Sequence, residues 1–272
     1  METLPLFSSE TSAETPAKLP LSVVLLTHNE ERNICDCLDS CCRFAQEIIV
    51  IDDASKDKTL ELAKKYPEVK IFERPLNGDF GAQKSFGIAQ ATCNWIFLID
   101  ADERVTPQLE VAICKCVESG EKASYWIQRE NHFKNMVVRH GTMRPDWVLR
   151  LMPRGGATVE GCVHEKVQSI FPQKKITEGR LVHFPYRTWD QFYSKMNQYT
   201  RLAALKLAEQ NRPCGFFSHV VFRPFWAFIK VYFINLGFLD GKAGFVFASN
   251  HAAYTLLKYV RFYQIRKFKG EL

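Results

Sequence analysis

Residues 95–99, Trp-Ile-Phe-Leu-Ile, run directly into Asp100-Ala101-Asp102. An unbroken run of bulky apolar residues of this length reads as a strand buried on both faces. Such a strand needs helices covering each side of its sheet. Its carboxyl end is where open α/β sheets bind ligands. Two carboxylates one residue apart at that place are costly unless positive charge lies beside them. A hard divalent cation holding a diphosphate is the simplest occupant.

The flanking pattern agrees with a parallel sheet. Apolar strands are expected at Leu21–Leu26, Glu47–Ile51 and Val69–Phe72, and helices at Glu30–Phe44, Asp57–Tyr66, Gly81–Ala91 and Thr106–Val117. Alternation at this spacing implies an α/β fold with a mostly parallel central sheet and helices on both faces. Between Ala123 and His183 short β-like runs (Tyr125–Gln128, Met136–Arg139, Val148–Met152) alternate with Gly and Pro, so the sheet is expected to become mixed there. From Trp189 the chain reads as helical over Trp189–Gln210, Val220–Asn235 and Lys242–Phe268. The expected organisation is a loose tail over 1–19, a catalytic domain over 20–188 and a helical extension over 189–272.

Charge divides the chain at the same place. Residues 1–189 hold 24 Lys and Arg against 26 Asp and Glu, whereas residues 190–272 hold 12 against 4, a net of +8. The basic extension is also rich in Phe, Tyr and Trp. That combination suits an anionic surface, either membrane lipid or nucleic acid. No run reaches the roughly 20 uninterrupted apolar residues of a spanning helix. Pro213–Leu239 comes nearest, broken by His219, Arg223, Pro224 and Lys230. The first twenty residues lack a signal-peptide pattern. The nine cysteines are therefore expected to be reduced, and the cluster Cys35, Cys37, Cys41, Cys42 lacks the paired spacing of zinc knuckles.

Three expected strand ends carry polar residues: Thr27-His28-Asn29-Glu30, Asp52-Asp53-Ala54-Ser55 and Asp100-Ala101-Asp102. Each alone suits a helix cap. Together, on neighbouring parallel strands, they would gather along one edge as a shared ligand site. The chain has no Gly-x-Gly-x-x-Gly after its first strand and no Walker lysine motif, which argues against dinucleotide and P-loop readings. The loop Asn77-Gly78-Asp79-Phe80-Gly81 either approaches a nucleotide or simply turns into a helix.

In the order Thr-His-Asn-Glu-Glu, Ile-Asp-Asp-Ala-Ser-Lys-Asp-Lys-Thr, Asn-Gly and Leu-Ile-Asp-Ala-Asp-Glu, residues 21–120 resemble the family 2 inverting glycosyltransferases of the GT-A fold. The later pieces Arg150-Leu-Met, Val163-His164-Glu165 and Gly237-Phe-Leu-Asp240-Gly241 are similar to a bacterial subgroup that includes lipopolysaccharide inner-core β-glucosyltransferases. The resemblance implies transfer of a hexose, glucose from UDP-glucose being the first expectation, onto a lipid-linked or lipopolysaccharide-core acceptor. It implies a peripheral position on the cytoplasmic face of a membrane, and no nucleic-acid partner.

It also implies residue roles. Thr27, His28, Asn29 and Glu30 would line the nucleotide pocket, with Asp53 accepting from the uracil N–H. Gln83 and Lys84 would add polar contacts, although Lys84 also suits a solvated helix position. Asp100 and Ala101 would lie against the donor, Asp100 meeting the ribose or sharing the metal, and Asp102 would bind Mg²⁺ or Mn²⁺. An inverting displacement needs a base on the face opposite the leaving group. Glu165 is the candidate, with His164 beside it and Asp146 in reserve. Arg150 and Arg154 are either diphosphate contacts or surface residues. His183, Phe184, Tyr186 and Trp189 line an acceptor cleft or pack a hinge. The rival expectations are a polyprenyl-phosphate sugar transferase, a sugar nucleotidyltransferase and a non-enzymatic binding protein.

Overall fold

The computed structural model describes residues 18–133, 136–143, 146–161, 166–186, 188–210 and 212–268. Four strands form its parallel half: β1 (Leu19–Thr27), β2 (Ala45–Asp52), β3 (Val69–Glu73) and β4 (Trp95–Asp100). They lie in the order β3-β2-β1-β4, so the ends of β2, β1 and β4 are neighbours. All five apolar residues of β4 are buried, as its composition requires. The connecting helices are α1 (Ile34–Cys42), α2 (Thr59–Ala63) and α3 (Phe80–Gln90). A fourth, α4 (Pro107–Glu118), follows the short strand β5 (Glu103–Val105).

Side-chain alternation along the strands builds two cores. Val23, Leu25, Phe97 and Ile99 pack with Cys37 and Leu38 of α1 and Leu109 and Ile113 of α4. Val24, Ile96 and Leu98 face the other way, toward Phe86 and Ile88 of α3. Gly87 makes that approach possible, because a Cβ there would lie 2.5 Å from Val24 Cγ1. Cys37 and Cys41 are buried in the first core as small apolar groups.

Past β4 the sheet continues in mixed register, as the irregular stretch suggested. β8 (Asp146–Pro153) pairs antiparallel with both β4 and β6 (Ser124–Phe133). β11 (Gln173–Tyr186) runs parallel to β6 and carries β5 antiparallel on its far edge. β7 (Met136–Val138) pairs with β6, and β9 (Ala157–Glu160) and β10 (Lys166–Ser169) form a separate ribbon. The pairing of Leu181, Val182 and His183 with Val105, Arg104 and Glu103 brings the stretch after β4 against β11.

The helical region holds α5 (Trp189–Glu209), α6 (Arg223–Ile229) and α7 (Gly241–Phe268). The single helix expected over 220–235 is instead α6 flanked by π-helical turns at Phe216–Phe222 and Lys230–Ile234. Pro224, with no N–H to donate, sits in the first turn of α6, where the wider turn before it ends. An aromatic cluster of Phe133, Tyr186, Trp189, Phe192 and Phe247 ties α5 and α7 to the sheet. The turn Gly237–Asp240 does more than link helices. Asp240 accepts from the Arg139 and His140 backbone N–H groups at 3.1 and 2.8 Å, and its other oxygen lies 2.7 Å from His140 Nδ1.

Candidate active site

A cavity of about 940 Å³ opens at the carboxyl ends of β1, β2 and β4. Thr27, His28 and Glu30 line it from the end of β1, Asp53 from β2, and Asp100, Ala101 and Asp102 from β4. Gln83 and Lys84 enter from α3. Asn29 is not among the lining residues. Its backbone N–H donates to Ser55 Oγ at 2.8 Å, and its side-chain oxygen accepts from the Lys56 N–H at 2.8 Å. With φ of +53° it turns the chain between the two loops.

Asp52, the last residue of β2, and Asp53 just beyond it have opposite fates. Asp52 is fully buried. It accepts from Thr27 Oγ1 at 2.8 Å and from the Ser55 N–H at 2.8 Å, so it braces the strand ends. Asp53 faces the cavity, accepts from the Leu76 N–H at 2.9 Å, and keeps its second oxygen toward the opening, 3.6 Å from His28 Nδ1. Gln83 is buried and donates to the Arg74 carbonyl at 2.5 Å.

The two acids after β4 differ as sharply. Asp100 Oδ2 accepts from Arg150 Nη2 at 2.6 Å, and Asp100 Oδ1 lies 3.4 Å from Lys84 Nζ. Lys84 is 6% exposed, so it is not a solvated helix lysine. Arg150 is buried too. It touches Glu103 Oε1 at 2.7 Å, and Arg129 lies 3.3 Å from the same oxygen. Burial pushes the Asp100 carboxyl up, but Arg150, Lys84 and Arg129 outweigh it and hold the group far below the usual carboxylate range. Burial and the Asp100 charge push Glu103 up instead. Arg150 is therefore a buried scaffold for the acids and not a surface arginine. Arg154, by contrast, is an exposed surface arginine, donating to the Ala91 carbonyl at the end of α3 at 2.7 Å.

Among the described residues Asp102 has no such Lys or Arg beside it. Its Oδ2 lies 3.4 Å from His183 Nε2, and His183 Nδ1 is 2.7 Å from Asn131 Oδ1. The Asn131 oxygen only accepts, so Nδ1 donates to it and Nε2 is the ring nitrogen turned toward Asp102. An imidazole fixed through its far nitrogen beside a carboxylate is a donor pair suited to a divalent cation. Among the described residues no group of three or more His, Cys, Asp or Glu is spaced to hold a metal. Magnesium and manganese sites that also bind phosphate use one or two protein oxygens and fill the remaining positions with phosphate and water, so a pair is compatible with them.

Residues 22–154 match the sequence profile described as Glycosyl transferase family 2. They form a family 2 glycosyltransferase domain. This glycosyltransferase domain is followed by further mixed sheet and a helical region. Over 262 residues it is 29% identical to a Rhizobium meliloti protein named lipopolysaccharide core biosynthesis glycosyltransferase LpsC, covering 93% of this chain and 95% of the relative. An uncharacterized glycosyltransferase of Rickettsia typhi is 26% identical over 83% of this chain and 80% of its own length. Among solved structures, S. aureus TarS 1-349 in complex with UDP-GlcNAc superposes with a TM-score of 0.48 at 14% identity, over 91% of this chain and 92% of that one.

The cavity also has walls that sequence reasoning missed. Tyr199 and Leu202 of α5 and Tyr254 of α7 close it from the helical region. No local motif marks them; only the docking of α5 and α7 on the sheet places them there. His183 was noted as a cleft residue, but its approach to Asp102 depends on β11 pairing with β5. Glu165 and His164 lie outside the described residues. The chain before them is described as far as Gly161, whose carbonyl would be 2.7 Å from a Cβ at Gly81, at the cavity end of α3. Asp146, the reserve base, does not line the cavity and is 2.8 Å from Arg129 Nε.

Proposed function

We propose that the protein transfers a hexose from a uridine-diphosphate sugar to a lipid-linked saccharide of the lipopolysaccharide core, with inversion, at a membrane surface. The observation that carries this reading is the meeting of Asp53, Lys84, Asp100 and Asp102 in one cavity of a family 2 domain. The name of the R. meliloti relative, matched over nearly both lengths, supports the acceptor class.

In this reading the open oxygen of Asp53 takes the uracil N–H, and Thr27 to Glu30 enclose the base and ribose. Asp100, held rigid by Arg150, meets the ribose. Lys84 brings positive charge beside the diphosphate. Asp102 and His183 would hold Mg²⁺ or Mn²⁺, which stabilises the negative charge left on the departing diphosphate. Glu165 accepts the proton of the acceptor hydroxyl as the acceptor oxygen bonds to the anomeric carbon and the sugar–phosphate bond breaks.

Membrane attachment is the second part of the proposal. Phe217, Phe222 and Phe225 are 78%, 63% and 63% exposed, and Trp226, Phe233 and Leu239 are also exposed. Aromatic exposure on a region of net charge +8 suits a helix pair lying in a lipid interface. Among the described residues no single helix is long and apolar enough to cross a membrane. The pair Phe216–Ile234 and Gly237–Phe268, bent by 70°, does meet the test of length and composition jointly. That favours, as a second reading, a polyprenyl-phosphate acceptor met within the bilayer.

The test is thermal stabilisation by UDP with and without Mn²⁺, followed by UDP release from UDP-glucose with and without a lipopolysaccharide-core acceptor. At a hundredfold excess over Kd, binding stabilises by about 2.7 kcal/mol. Stabilisation combined with acceptor-dependent UDP release supports the reading. Pyrophosphate release from UTP and glucose 1-phosphate, with no acceptor-dependent UDP release, would replace it with nucleotidyl transfer.

A further inference from the structure

A smaller cavity of about 160 Å³ adjoins the large one, and Tyr199 and Tyr254 line both. Strand order sets the direction from one to the other. Asp53 stands at the end of β2, Asp100 and Asp102 at the end of β4, and Tyr186, which lines the small cavity, at the end of β11. The small cavity is therefore on the side away from the nucleotide end.

Its lining combines two kinds of group. Phe192, Met196 and Phe247 give it apolar faces, and Tyr199 and Tyr254 stand at its junction with the donor cavity. Asn250 and His251, in the middle of α7, supply polar groups. Among the described residues the Asn250 amide has no hydrogen-bond partner, although it is only partly exposed and belongs to a packed helix. Its two donors and one acceptor oxygen, left unoccupied at the cavity wall, fit hydroxyl groups. Burial lowers the His251 pKa, which keeps the ring neutral. Among the described residues no Asp, Glu, Lys or Arg lines the cavity.

We infer that this cavity is the acceptor subsite and takes an uncharged pyranose ring of the acceptor saccharide, stacked on its aromatic faces and hydrogen-bonded by Asn250. Aromatic faces beside a few aimed polar groups are the usual make-up of a small-ligand pocket. An acyl chain would leave the Asn250 and His251 groups unpaired, so the sugar is the better occupant. The inference rests on the donor reading of the larger cavity.

The test uses saturation-transfer NMR of the full chain with UDP and Mn²⁺ present. The probes are the methyl glycosides of glucose, galactose, mannose and L-glycero-D-manno-heptose, with decanoate as the acyl-chain probe. The variants are Asn250→Ala, which keeps a strong helix former, and Met196→Trp, which fills the cavity from α5. Neither residue lines the donor cavity. The expected result is transfer to the ring protons of at least one glycoside, weakened by about tenfold in Asn250→Ala through loss of its hydrogen bonds. Met196→Trp abolishes the signal, while UDP binding is unchanged in both variants. No glycoside signal, one indifferent to both substitutions, or decanoate as the only probe bound would each overturn the inference. Failure of the wild-type protein to bind UDP would instead remove the donor reading.

Discussion

Arg150 Nη2 lies 2.6 Å from Asp100 Oδ2, which fixes the first acid of the Asp-Ala-Asp pair from inside the sheet. The same nitrogen reaches Glu103 at 2.7 Å, so one buried guanidinium separates two acids. Breaking a buried pair by removing one partner leaves uncompensated charge and costs about 3–5 kcal/mol. Arg150→Met is therefore expected to lower stability by about that amount in urea unfolding. Arg150→Lys, a point charge without the planar fork, is expected to fall between the two. Equal midpoints for all three proteins would show that the cation contributes nothing to this site.

Asp102, which lines the cavity, and His183 beside it make a different kind of pair, 3.4 Å apart. If they hold the cation, Asp102→Asn and His183→Ala each weaken Mn²⁺ affinity by about 10–100-fold, a loss typical of damaged metal shells. Paramagnetic titration in the presence of UDP measures this directly. UDP binding without metal is expected to be nearly unchanged in both variants. An unaltered Mn²⁺ isotherm in Asp102→Asn would place the ion elsewhere.

Glu165 carries the base assignment in the proposed reaction. Glu165→Gln is expected to reduce kcat by about two to four orders of magnitude, the usual contribution of a positioned base. UDP and Mn²⁺ affinities should stay at wild-type values. Turnover close to wild type would transfer the role to another group.

The exposed aromatics around α6 predict behaviour on lipid. Replacing Phe217, Phe222 and Phe225 together by Ser removes three side chains that are each more than half exposed. Flotation with anionic liposomes is expected to fall sharply, because each buried aromatic contributes about 1.5–3 kcal/mol of apolar transfer. The melting temperature should hardly move, since little folded-state packing is lost. Undiminished flotation would assign lipid contact, if any, to another surface.

Glu47 gives a pH-dependent stability term remote from the cavity. It is buried, which pushes its carboxyl up, but Lys70, Ser22 and Thr92 donate to it and bring it down to about 2 from 4.5. A depressed folded-state pKa means stability that is fully present above the unfolded value and lost as pH falls from 4.5 toward 2. The loss amounts to about 3 kcal/mol by linkage. Glu47→Gln should flatten the acid limb of the stability curve over that window, read as unfolding midpoint against pH.

The sequence by itself determined the parallel half of the sheet and the edge on which Thr27, Asp53, Asp100 and Asp102 meet. Those features follow from local rules: a residue's face repeats every second position in a strand, and each βα unit returns the chain to the same edge. Only the tertiary structure decided which acid of each pair faces the cavity free of a buried cation. Asp52 is turned inside and Asp100, though it lines the cavity, is clamped by Arg150, while Asp53 and Asp102 line the cavity beside no buried cation among the described residues. It also decided that Arg150, 50 residues from Asp100, is a buried counter-charge. His183 reaches Asp102, and Tyr199 and Tyr254 wall the cavity from the helical region. These partners are brought together by strand order and helix docking, and a repeat of two or of 3.6 residues carries no information about contacts at such separations.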